Sequence, residues 1–270
     1  AGRRLAVGPL RSVPGADENQ EALTQKLSPE SFRRKEALAI VKFAGPALSI
    51  PLCDPIMSCV DAVCIGQFAS TVELAALGPN IVIFNFISYT FQFMSIATTI
   101  SVSNAIADGD KKKAGRVVSS AVWITILAGL AMAIPLFISG EAALAATGSV
   151  PELLHVGLEY LRIRLLSCPA VLCTMVLQAG LLAQKDSVTP LLAVLISGGF
   201  NVVGDIFLIR TMRMGLAGAA WATTAAQYVA LFVLLLMGYA RRREGDVGLS
   251  ASPPTKQELK PFLSAIGPLC

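Results

Sequence analysis

Apolar residues in this chain fall into long runs broken by short polar punctuation. Six stretches, 38–65, 77–106, 117–139, 153–182, 189–211 and 215–239, reach the ~20 residues a helix needs to cross ~30 Å of hydrocarbon. Gln67 to Glu73, Asp108 to Lys113, the Gly140/Glu141 and Gly148 to Glu152 region, Lys185/Asp186 and Arg213/Gly215 separate them. Connections this short predict sequential helices that run up and down as neighbours. The pattern therefore predicts an all-α membrane protein in four parts. They are a flexible basic arm over 1–36, six transmembrane helices over 37–240, a linker over 241–258 and the start of a further helix over 259–270.

Charge supports this division and gives it an orientation. The chain carries 22 Lys and Arg, and 17 of them fall in the N-terminal stretch, the second-to-third connection, Lys185 and the region after Arg241. The opposite side shows Glu73, Glu141 and Glu152, with Arg210 and Arg213 as basic exceptions; Lys42, Arg162 and Arg164 lie within helices. This is the positive-inside pattern, and it places both ends of the chain on the cytosolic or organelle-interior side. The net charge of +4 follows from those flanks, and with no interleaved aromatics it does not suit nucleic acid.

Composition removes other classes. At 54% hydrophobic and 15% charged, with a mean hydropathy of +0.65, the chain is not an ordinary soluble enzyme. Six cysteines without a CxxC, and one histidine, His155, make structural zinc or a redox dithiol poor readings, so no metal site is expected. No phosphate loop, nucleophile elbow or HExxH occurs, so neither catalytic residues nor an ATP-driven pump within this chain is expected. Residues 1–30 fit either a disordered arm or, over 1–12, the tail of a transit peptide; Asp17, Glu18 and Glu21 weigh against the second. LSAIGPLC at 263–270 echoes IVKFAGPAL at 40–48, which suggests a second copy of the six-helix unit and a longer transporter of which this is the first half.

Carboxylates within the spans are the main functional candidates, since such groups are costly in hydrocarbon and normally face an interior cavity. Asp54 and Asp61 lie seven residues apart, on nearly one face of the first helix, which Pro46, Pro51 and Pro55 are expected to bend. Asp54 fits a local role beside Pro55 or a contact to substrate or to the site residues, whereas Asp61 lies deeper and suits function. Asn201 and Asp205, four apart in GGFNVVGDIF, stack on one face of the fifth helix, where Gly198, Gly199 and Gly204 provide close-packing surface. They could be interhelical glue, or could converge with Asp61 on a protonation site, because desolvation and a like charge both favour the protonated acid. Gln178, Gln92 and Tyr89 are packing groups or substrate contacts. Glu159 is expected to pair with Arg162 and Arg164 near the start of the fourth span, and His155 to be exposed.

DPIMSCVDAVCIGQFASTVELAALGP at 54–79, FISYTFQFMSIATTISVSNAIADGD at 86–110 and LQAGLLAQKDSVTPL at 177–191 resemble the multidrug and toxic compound extrusion (MATE) family, most of all its plant and algal chloroplast-type branch. The resemblance covers about 36–270 and implies the six-helix N-terminal lobe of a twelve-helix, two-lobe transporter, cut at the start of helix seven. It implies that Asp61, Asn201 and Asp205 belong to the cation or proton site, and that Gln178 is the nearest match to a fourth-helix Asn beside it. Where the family often has Arg-x-x-Gly-Asp, this chain reads Leu182 to Asp186, a departure that favours the plastid-type branch.

Together these features imply an antiporter that exports an organic compound, such as a phenolic acid or an amphipathic metabolite, against H⁺ or Na⁺. It would use no cofactor, and would work with membrane lipids and the C-terminal lobe of the same protein. The plastid envelope is the expected location, with plasma or vacuolar membrane as the alternative. The rival readings are a lipid-linked precursor flippase, which should have a more basic cavity, and a non-transporting membrane scaffold.

Overall fold

A computed structural model describes residues 29–243. The arm before Pro29, the linker from 244 and the expected helix start at 259–270, with its Gly-Pro echo, lie outside the described residues. The chain divides into two units, Ala1–Gly45 and Pro46–Cys270. The described part of the first, residues 29–45, is helical; the second holds the bundle.

Helix α1 spans Pro29–Phe68, α2 Thr71–Ala107, α3 Lys111–Ala146, α4 Pro151–Leu165, α5 Cys168–Ala183, α6 Val188–Asp205 and α7 Gly215–Arg243; a π-helical turn, Ile206–Thr211, continues α6. Among the described residues five helices are long and apolar enough to cross a membrane. The α4–α5 pair, bent by 49° at its break, is long and apolar enough to do so when taken together. The protein is thus an integral, multi-pass membrane protein, and bulky apolar side chains such as Ile138 (80% exposed) and Phe232 (65%) face outward.

Local signals fix the helix ends. Ser70 and Glu73 form a reciprocal capping box at the start of α2. Asp110 caps α3 by accepting from Lys113 N at 2.8 Å. Pro151 and Pro169 stand in the first turns of α4 and α5, where a missing N–H does no harm.

Three differences from the sequence expectations have physical causes. Helix α1 begins at Pro29, inside the stretch expected to be arm, because proline suits a first helical turn. The fourth span is two helices: Pro169 has no N–H for the Leu165 carbonyl four residues back and its ring crowds it, and the Ser167 hydroxyl donates to Arg164 O at 2.7 Å. Among the described residues Glu159 forms no ion pair. Instead Arg162 stands over the Phe137 ring at 5.4 Å and Arg164 over Phe84 at 4.7 Å.

The core is stitched between helices distant in sequence. Cys64 and Ile65 of α1, Leu77 of α2, Tyr160 of α4 and Leu216 of α7 share one buried cluster, together with Ile209 of the π turn. Val102, Val118, Leu177 and Leu234 join α2, α3, α5 and α7 in another. Small residues set the closest approaches. A Cβ on Gly129 of α3 would stand 2.6 Å from Pro169 Cα, and one on Gly180 of α5 would stand 2.8 Å from Val118 Cγ2.

Candidate functional site

The site is built where α6 meets α1. Gly198 lets the helices approach: a Cβ there would stand 3.1 Å from the Met57 sulfur. Gly204 plays the same part toward α7, 3.0 Å from Ala222 Cβ, whereas Gly199, expected to pack as well, faces open space. One turn beyond Met57 comes Asp61; one and two turns beyond Gly198 come Asn201 and Asp205.

Asn201 Nδ2 donates to Asp61 Oδ1 at 2.8 Å and to Asp205 Oδ2 at 3.3 Å. One amide nitrogen thus bridges two carboxylates, whose accepting oxygens lie no farther apart than these two bonds laid end to end. Asp205 is fully buried, Asn201 is 3% exposed and Asp61 is half-buried. Asp205 Oδ1 and Asn201 Oδ1 are sealed from solvent and have no donor among the described residues. Buried acceptors are ordinarily paired. Two carboxylates and an amide, with two unsatisfied oxygens among them, form an electron-rich cluster suited to a proton or a small cation, both of which supply what acceptors lack.

The other sequence candidates stand apart. Asp54 is exposed, two turns before Asp61 on α1; Tyr89 and Gln92 are exposed on α2, and Gln178 is half-buried on α5. None of the four side chains makes a hydrogen bond among the described residues. His155 is exposed.

Two groups carry more than the sequence suggested. Glu73 Oε1 accepts from Leu216 N at 2.9 Å while Oε2 accepts from Ser70 N at 2.8 Å and Ser70 Oγ at 2.7 Å, so one carboxylate ties the α1–α2 turn to the start of α7. The S-x-x-E spacing foretells the capping box, but nothing local foretells a partner 143 residues away. Gly215 makes room for it with φ +54°; any Cβ there would collide with Glu73 Oε1. Arg164, expected near the start of a span, stands at the break between its halves.

Comparison with known proteins agrees with this architecture. The family model MatE matches residues 46–207. Protein DETOXIFICATION 47, chloroplastic, of Arabidopsis thaliana is 38% identical over 222 residues, 82% of this chain and 40% of that protein. DNA damage-inducible protein F of Escherichia coli (strain K12) is 26% identical over 224 residues, 83% of this chain and 49% of that protein. A crystal structure of MATE in the bent conformation superposes with a TM-score of 0.76 at 21% identity, covering 86% of this chain and 53% of that one, which establishes the shared fold. The chain spans about half the length of these relatives or less. With the model matching well over half its residues, the chain belongs to the MatE family, the multidrug and toxic compound extrusion transporters its motifs resemble.

Proposed function

We propose that this chain forms the cation-coupling half of a secondary antiporter that exports an organic compound as H⁺ or Na⁺ enters. The observation that carries the reading is the pair of sealed, donorless oxygens, Asp205 Oδ1 and Asn201 Oδ1, beside two carboxylates bridged by one amide. Asp205 and Asp61 bind the coupling cation and Asn201 orients them. Loading neutralises charge between α1 and α6 and changes how those helices meet, which is the differential interaction that coupling requires. Alternating access then comes from this lobe moving against the rest of the transporter. The chain works as a transporter and not an enzyme, without a cofactor, with membrane lipids and a C-terminal lobe as its partners. The plastid envelope is its location, a reading supported by relatives named chloroplastic.

Reconstituting the full-length transporter in proteoliposomes under separately imposed pH and Na⁺ gradients tests this. Uptake of a substrate should follow one of the two gradients and collapse with Asp205→Asn. Equal uptake under every gradient would rule out antiport.

A further inference from the structure

Two cavities meet at Trp221 of α7. The larger, about 620 Å³, lies between α3, the break after α4 and α7, with Leu130, Ile134, Leu165, Pro169 and Trp221 in its wall. The smaller, about 450 Å³, is lined by His155, Glu159 and Arg162 of α4 and again by Trp221. Arg162, in the smaller cavity, also stands at 5.4 Å over the ring of Phe137, in the larger. The two are thus one groove, charged at one end and apolar at the other.

The apolar end stays apolar because its polar side chains are satisfied by the break itself. Thr224 Oγ1 donates to Ile163 O at 3.3 Å, and Tyr228 OH donates to Leu166 O at 2.8 Å. What remains there is hydrocarbon surface. The charged end is the reverse: Glu159 and Arg162 stand at i,i+3, a spacing at which opposite charges ordinarily meet, yet among the described residues neither forms an ion pair. Both are exposed. With the 15 residues of α4 on one side and the 16 of α5 on the other, the break lies near the middle of the membrane. At the helical rise, Glu159 and Arg162 stand only ~10 Å and ~6 Å from Leu166 at the break, within the ~15 Å half-thickness of the hydrocarbon. Open charge at that depth is costly.

Such a site calls for counter-charges of both signs held close together, with an apolar chain directly beneath them. A zwitterionic phospholipid has that construction. Its phosphate matches the planar fork of a guanidinium, its ammonium group matches a carboxylate, and the Trp221 indole marks the level at which headgroups begin.

We propose that this groove seats one zwitterionic membrane phospholipid, with its phosphate on Arg162, its ammonium group beside Glu159 and one acyl chain running along α7 to the helix break. None of Asp61, Asn201 and Asp205 lines either cavity, so the lipid seat holds whether or not the transporter is an antiporter.

The test is native mass spectrometry of the detergent-purified full-length transporter, titrated with chain-matched phosphatidylcholine, phosphatidylglycerol and monogalactosyldiacylglycerol. The first phosphatidylcholine should bind at least several-fold more tightly than either of the others. Arg162→Gln should weaken it roughly tenfold, the scale of a charge-assisted bond. Glu159→Gln should bring phosphatidylcholine and phosphatidylglycerol level. Ala225→Phe, which plugs the apolar end, should remove the first binding step and leave later, weaker ones in place. Because Arg162 and Glu159 are exposed, their variants should keep the wild-type Tm, and they decide the matter if Ala225→Phe does not fold. Retention of no lipid, as when the C-terminal lobe covers the groove, overturns the proposal. So does a first binding step that ignores the headgroup or is unchanged by Arg162→Gln or Ala225→Phe, as for an ordinary annular lipid. Tighter binding of phosphatidylglycerol than of phosphatidylcholine overturns it as well, since a plain cationic patch would behave that way.

Discussion

Glu73 and Asp205 are both carboxylates that join the early helices of the bundle to the late ones, yet their surroundings are opposite. At Glu73 both oxygens receive donors: Oε1 takes Leu216 N, and Oε2 takes the Ser70 amide and hydroxyl. At Asp205 one oxygen accepts at 3.3 Å from the Asn201 amide that it shares with Asp61, and the other has no donor among the described residues. A carboxylate whose acceptors are filled by backbone N–H groups is held as the anion and works as a fastening. One that is buried and under-supplied gains by taking up a proton or cation, and so can act as a switch.

That contrast can be broken by substitution. Asp205→Asn should reduce gradient-driven uptake on the order of 5–150-fold, the span of ordinary coupling energies, while Tm in detergent stays level or rises because a buried charge has gone. A fall in Tm with uptake intact would reverse the assignment. Asn201→Ala removes the donor common to Asp61 and Asp205 and should destabilise the lobe by about 1–3 kcal/mol, with uptake falling as well; thermal unfolding beside the uptake assay separates the two effects. Glu73→Ala should lower stability by about 1–2 kcal/mol through the loss of helix-terminal bonds, yet leave the identity of the driving gradient unchanged. A switch from H⁺ to Na⁺ dependence, or loss of dependence, would give Glu73 a coupling role instead. Ser70→Ala removes one side of the capping box and should cost about 0.5–1 kcal/mol in the same unfolding assay, with transport rates at the wild-type level.

The spans and the polar residues Asp61, Asn201 and Asp205 that the structure brings together stood out in the sequence for the same reason. Long apolar runs with few breaks admit one solution in lipid, and polar groups within them stand out: the four-residue spacing of Asn201 and Asp205 is a local fact that any helix preserves. What stayed hidden depended on geometry across the bundle or on the summed effect of weak local preferences. The run over 153–182 is apolar enough to pass for one span, so Arg164 seemed to sit near its start; only the turn at Leu166 and Ser167 moves it to the middle. In place of the Glu159 pairing, Arg162 and Arg164 stand over the faces of Phe137 and Phe84, and neither ring lies close by in sequence. The bridge from Glu73 to Leu216 and the π turn after Asp205 likewise have no signature in spacing.

The glycine contacts of α3 and α5 have a mechanical consequence. Where Gly129 meets Pro169, main chain lies on main chain, and where Gly180 meets Val118 a short branched side chain fills the gap, so these helices have almost no slack and should travel as one stiff plate. The seam between α1 and α6 is different: Gly198 rests on the thioether of Met57, a pliable side chain that can re-seat in several rotamers. Any hinge within this lobe therefore belongs along that soft seam, directly beside Asp61 and Asn201, and a bulkier residue at position 129 would wedge the plate apart without reaching the hinge.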